Sequence, residues 1–193
     1  MEYREPACEL LAMSVVDLIQ IADVRPSQVR RWTEKGALPG VSTGHITIRD
    51  VVLASMMDAL ENVDVSIKLA SLPARNLLYF VVNGCPDAIE VGDTLGRPSK
   101  EVTRRVASYL AYGTSDCLYF RVRQFAVVQE GVYLRLGTKR LARNCEDDYD
   151  FEIFDLKKLA GQIVDRVDRP LVRVTRTSTP AGAPVSHSAS LGA

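Results

Sequence analysis

Between positions 14 and 39 the chain carries two helix starts and two helix stops, which leaves room only for two short helices joined by a tight turn. Ser14 and Asp17 have the spacing of a capping box, with a carboxylate as its second member. Val15, Val16, Leu18, Ile19 and Ile21 follow and predict a short buried helix. The chain then turns through Asp23, Val24 and Arg25. Pro26 suits the first position of a second helix, where its missing N–H is no loss. Val29, Trp32 and Leu38 supply the apolar side, and Gly36 ends the helix. Trp32, the only tryptophan, lies one helical turn from Val29, which makes it a core anchor rather than a base-stacking group.

Residues 40–48 hold two glycines and then β-branched residues, which predicts a tight hairpin. Thr47 and Asp50 repeat the capping spacing, and Val51, Val52, Met56, Met57, Leu60 and Val63 follow a helical period. Ser66 starts another short helix carrying Ile67, Leu69 and Ala70. Two helices, a tight turn and a small wing make a helix-turn-helix pattern.

On these residues the stretch 12–72 resembles the DNA-binding head of MerR-like winged-helix regulators. The family's recognition helix ends on an arginine, an aromatic pair, an acid, Gly-Leu and Pro. Arg30, Trp32, Glu34, Gly36, Leu38 and Pro39 stand at the matching positions, and Gly44, His45, Ile46, Thr47 and Asp50 match its wing. Ile46 replaces the wing's aromatic residue, so His45 is its only polar candidate. The family's long pairing helix has no counterpart, because Pro73 and the strand-like residues 77–82 interrupt it. The resemblance implies a regulator that reads double-stranded DNA.

The charge pattern agrees. Residues 21–49 carry Arg25, Arg30, Arg31, Lys35 and Arg49 against Asp23 and Glu34, a local net charge of +3. A helix entering the major groove reads bases with its first turns and grips phosphates with its flanks. Ser27 and Gln28 open this helix. Gln28 is placed to pair with adenine, and Arg31 to reach guanine or a phosphate. The DNA-binding candidates are therefore Arg25, Ser27, Gln28, Arg30, Arg31, Lys35, His45 and Arg49.

The pattern changes after position 74. Residues 77–83 form a continuous apolar run, read as a strand, with 88–91 pairing beside it after a turn through Gly84 and Pro86. Pro98 and Ser99 open a helix containing Val102, Val106, Tyr109 and Leu110. Residues 118–128 and 132–136 alternate around Glu130 and Gly131 as a hairpin. Residues 151–154 then lead into a helix capped by Asp155. Its stripe of Leu156, Leu159, Ala160, Ile163, Val164 and Val167 can cover a sheet or a second subunit. Residues 121–143 are strongly basic and 146–155 wholly acidic, two blocks close enough to screen each other.

Composition sets the outer limits. The 193 residues hold 24 Lys+Arg and 24 Asp+Glu, so bulk positive charge does not drive nucleic-acid binding. Apolar runs are too short for a transmembrane helix, and Glu2, Glu5 and Glu9 do not suit a targeting leader, so a cytoplasmic protein is expected. Cys8, Cys85, Cys117 and Cys145 never form a C-x-x-C pair, and no metal, cofactor or catalytic motif is present. The expected protein is α+β. An all-α winged helix-turn-helix head spans 1–74, a mixed α+β domain that dimerises or senses an unknown effector spans 75–174, and 175–193 form a disordered tail. The rival readings are a protein-docking adaptor built on a winged-helix head that does not bind DNA, and, less favoured, an enzyme in 77–174.

Overall fold

The computed structural model describes residues 7–91, 98–113, 122–129, 133–137 and 151–175. Among them the chain is mixed α+β, with seven α-helices and two three-stranded sheets. In chain order these are β1 (Ala7–Leu10), α1 (Val15–Ala22), α2 (Pro26–Glu34), α3 (Pro39–Thr43), α4 (Ile48–Glu61) and α5 (Ser71–Gly84). They are followed by β2 (Ile89–Val91), α6 (Lys100–Tyr112), β3 (Phe125–Gln129), β4 (Tyr133–Gly137), β5 (Phe151–Asp155), α7 (Leu156–Val164) and β6 (Val172–Thr175). Short 3₁₀ turns cover Ile67–Leu69 and Pro86–Ala88.

The capping signals act as their chemistry requires. The Ser14 hydroxyl accepts from the Asp17 N–H at 3.1 Å, and the Asp17 carboxylate accepts from the Ser14 N–H at 2.9 Å. Thr47 and Asp50 form the same reciprocal box at the start of α4. Asp155 caps α7 by accepting from the N–H groups of Lys157 and Lys158. Ser99 caps α6 by accepting from Val102 N–H. Gly36 lies at φ +69° after α2, a conformation that penalises any side chain with a Cβ.

The largest correction concerns 77–83, which is not a strand but the body of α5. A continuous apolar run is equally suited to a helix buried around most of its circumference. That is its position here, packed against α4, α6 and α7. Leu77, Leu78, Val81 and Val82 are buried in one core cluster that also takes in Leu18, Trp32, Leu60, Val106, Leu156 and Leu171. Pro73 does not interrupt this helix, because it sits in the first turn, where its N–H would lack a partner anyway. The boundary expected at 74/75 falls inside α5, and buried residues from both sides share the same core.

Two further expectations change. Residues 40–48 form no hairpin. Short α3 is followed by a single antiparallel bridge between Met13 and Ile46. Residues 88–91 do not pair with 77–83 either. β2 runs parallel to β6, which pairs antiparallel with β1 on its other side, so the first and last described strands are neighbours. The second sheet has the order β4-β3-β5, antiparallel throughout, and contains the hairpin foreseen around 130. Of that hairpin, residues 118–121 and the turn at 130–132 lie outside the described residues, as do the tail from 176 and most of the charged residues of the basic and acidic blocks.

The stripe on α7 is used within the chain. Leu156, Ala160 and Ile163 are buried, and α7 packs on α5 rather than leaving an apolar face for a second copy.

Two outcomes follow from this packing. Asn76 is buried on α5, and its side-chain carbonyl accepts from Tyr112 Oη–H at 2.8 Å and from the Arg123 N–H at 3.0 Å. Asn76→Ala leaves both donors without that acceptor and should lower stability by about 2–4 kcal/mol in chemical denaturation. Asn76→Asp, which keeps the acceptor, should recover part of it.

The Ser14 N–H, then the Ser14 hydroxyl, and last the Arg169 guanidinium hold Asp17 below the ordinary carboxylate range. A lowered folded-state pKa gives stability that is fully present above the unfolded value near 4 and is lost as pH falls through the folded value. Asp17→Asn should therefore flatten the acid limb of stability against pH below about pH 4, measured by denaturation at several pH values. An unchanged acid limb would refute this assignment.

Candidate nucleic-acid interface

α1 and α2 are joined by a three-residue turn, Asp23-Val24-Arg25. Asp23 takes φ 58°, a left-handed conformation that Asp tolerates better than most side chains. Val24 is buried beneath it. The turn is held from outside the pair, since Arg166, just after α7, forms an ion pair with Asp23. Arg169 likewise reaches Asp17 on α1 at 3.0 Å.

The inner face of α2 is fixed to α4. Trp32 is fully buried, and its indole N–H donates to Glu61 at 2.9 Å. The same carboxylate forms an ion pair with Arg31. Gln28 is also buried. Its side-chain oxygen accepts from the Arg25 N–H at 2.9 Å, and its amide nitrogen donates to Asp58 at 2.7 Å. Every polar end of this side chain is therefore engaged, and Gln28 braces α2 on α4 instead of facing a base. This corrects its assignment as an adenine reader.

The outer face of α2 presents Ser27, Arg30, Arg31 and Glu34, with Arg25 at its start and Lys35 at its end, all exposed. The Arg30 side chain is 83% exposed and pairs with Glu34, one helical turn on, at 2.9 Å. Such an exposed pair is worth about 0.3–0.5 kcal/mol, so an incoming phosphate displaces it at little cost. Arg31 is held more firmly, because its partner Glu61 is only 24% exposed and also anchors Trp32.

The segment between α3 and α4 is placed by Asp50. Its carboxylate accepts from the Gly40 N–H at 2.9 Å and from the Thr47 N–H at 3.0 Å. A Cβ on Gly40 would meet that carboxylate at 2.3 Å, so position 40 admits only glycine without a shift. His45 is exposed beyond the left-handed Gly44. Arg49 does not join this group. Its guanidinium donates to the Leu110 carbonyl at 3.2 Å, tying the start of α4 to the end of α6. Of the eight DNA-binding candidates, Arg25, Ser27, Arg30, Arg31 and Lys35 lie exposed on α2 or its caps, with His45 exposed between α3 and α4. Gln28 and Arg49 are held elsewhere.

Sequence reasoning missed Asp58 and Glu61, the acids on α4 that position α2. They lie about thirty residues from their partners, so no local spacing marks them. Burial pushes the Cys8 thiol up to about 11, and both Cys8 and Cys85 pack against the core. Among the described residues, no group of three or more His, Cys, Asp or Glu side chains is placed to hold a metal. No described helix is long and apolar enough to cross a membrane.

No family model matches the chain, and no curated protein or solved structure matches it.

Proposed function

We propose that this chain is a DNA-binding transcription regulator that lays α2 in the major groove of duplex DNA as a winged helix-turn-helix. One observation carries this reading. The second helix of a tight helix pair has its inner face bonded to α4 and its outer face open, lined by Ser27, Arg30 and Arg31 and flanked by Arg25 and Lys35. A helix held from behind and cationic in front is what groove entry requires. Arg25, Arg30 and Lys35 contact phosphate. Ser27 and Arg31 stand nearest to base edges, and His45 meets the backbone from the wing segment. In this reading the protein performs no catalysis of its own.

A homodimer belongs to the reading, because a nine-residue helix buries little surface and two half-sites supply the specific affinity. The stripe on α7 does not furnish the dimer interface, since it is buried against α5.

A second reading has its own observation. Arg31 already carries a countercharge in Glu61, while α1 leaves Val15 and Val16 exposed. Under that reading the head docks a protein, and duplex DNA is not retained even at low salt.

The deciding experiment measures binding of the purified chain to random duplex DNA at about 50 and 200 mM salt. The regulator binds, with an affinity that falls steeply as salt rises. Arg30→Ala should weaken binding across all sequences and lower the salt slope by about one unit. Glu34→Gln should strengthen binding by releasing Arg30. Absence of binding at the lower salt, or unchanged affinity and slope in both variants, overturns the proposal.

A further inference from the structure

α4, α5 and the C-terminal end of α6 line a half-open cleft of about 540 Å³, within the size range of small-molecule sites. Arg49, the second residue of α4, and Arg75, on α5, both line it. Described residues lining it include no acid. Elsewhere the described arginines commonly meet carboxylates: Arg30 with Glu34, Arg166 with Asp23, Arg173 with Glu9 and Glu90. Among the described residues, no carboxylate lies within ion-pair distance of Arg49 or Arg75. The Arg49 guanidinium donates to the Leu110 carbonyl, and a guanidinium has five N–H donors. That bond fixes the guanidinium at the cleft wall with donors to spare. The wall also carries apolar side chains, among them Val52 and Leu53 of α4 and Leu78 of α5.

We propose that this cleft binds a small organic carboxylate, its anionic head on Arg49 and Arg75 and its apolar body against Val52, Leu53 and Leu78. Two arginines lining one space, with no described carboxylate within ion-pair distance of either, favour an anion, and guanidinium meets carboxylate through paired, charge-assisted hydrogen bonds. The apolar wall selects against inorganic anions, which gain nothing from it. The site is independent of DNA binding by α2, and its test does not involve DNA.

The test is calorimetric titration of the full chain with benzoate, indole-3-acetate and octanoate, alongside their uncharged amides and inorganic phosphate. At least one carboxylate should bind saturably, one per chain, with a Kd below about 1 mM. Its amide and inorganic phosphate should bind at least about tenfold more weakly. Arg75→Gln should cost about tenfold or more, the loss expected for a charge-assisted hydrogen bond. Arg75 is exposed on its helix, so this variant should melt like the parent. Arg49→Gln should weaken binding as well. Failure of all three carboxylates to bind, equal binding by an amide or by phosphate, or full affinity in Arg75→Gln overturns the proposal.

Discussion

The burial of α5 is the constraint on which the rest of the structure depends. α4, α6 and α7 all pack on this one helix, and Leu77, Leu78, Val81 and Val82 face inward from it. Each such side chain contributes about 1.5–3 kcal/mol when removed from water, more than an exposed ion pair does. An apolar surface this wide needs neighbours on several sides, so the helical N-terminal region and the later elements share one core. The buried polar group on α5 obeys the same constraint. Asn76 is tolerated there because Tyr112 and the Arg123 backbone satisfy it. Its bond partners come from α6 and from the chain just before β3, so one amide joins three parts of the fold.

A similar division between an inward and an outward face governs α2. Its inner side is occupied by Trp32 and Gln28, both bonded to acids on α4. What remains for a ligand is decided by subtraction: Ser27, Arg30, Arg31 and the flanking Arg25 and Lys35. The acids that orient the helix also reduce its field, since Glu61 neutralises Arg31 while it holds Trp32. Groove entry would therefore rely first on the loosely paired Arg30, which can exchange Glu34 for phosphate without disturbing the core.

Signals that act over three or four residues are legible in the sequence. The capping pairs Ser14/Asp17 and Thr47/Asp50, the caps Ser99 and Asp155, the stop at Gly36 and the buried Trp32 are all readable from spacing alone. Interactions over longer separations are not. Residues 77–83 look like a strand because they contain β-branched and aromatic residues, but three packed helices outweigh that local preference. The parallel pairing of β2 with β6 joins segments more than eighty residues apart. Gln28 reads as a base-contacting residue until Asp58 is placed beside it, and Arg49 until the α6 carbonyl is. In both cases the side-chain type is suited to either role, and only tertiary placement chooses between them.

The helix pair at the N-terminal end is not an independent bead. Met13 bridges to Ile46, and just before it the Leu11 N–H donates to the Leu171 carbonyl while β1 pairs with β6. Arg166 and Arg169 add ionic contacts to the turn and to α1 from the same late segment. These ion pairs are exposed and individually weak, but the backbone pairing beside them is not screened by salt. The strand ladder thus sets the position of α1, and the α4 acids set that of α2. A change in the 165–171 segment would be felt at the α1–α2 turn through Asp23 and Asp17, both one contact away. On the opposite side, Arg49 joins the first turn of α4 to the end of α6, next to the cleft. The helix pair is therefore held at α1 and at its turn by elements from the later part of the chain, and at α2 by the acids of α4.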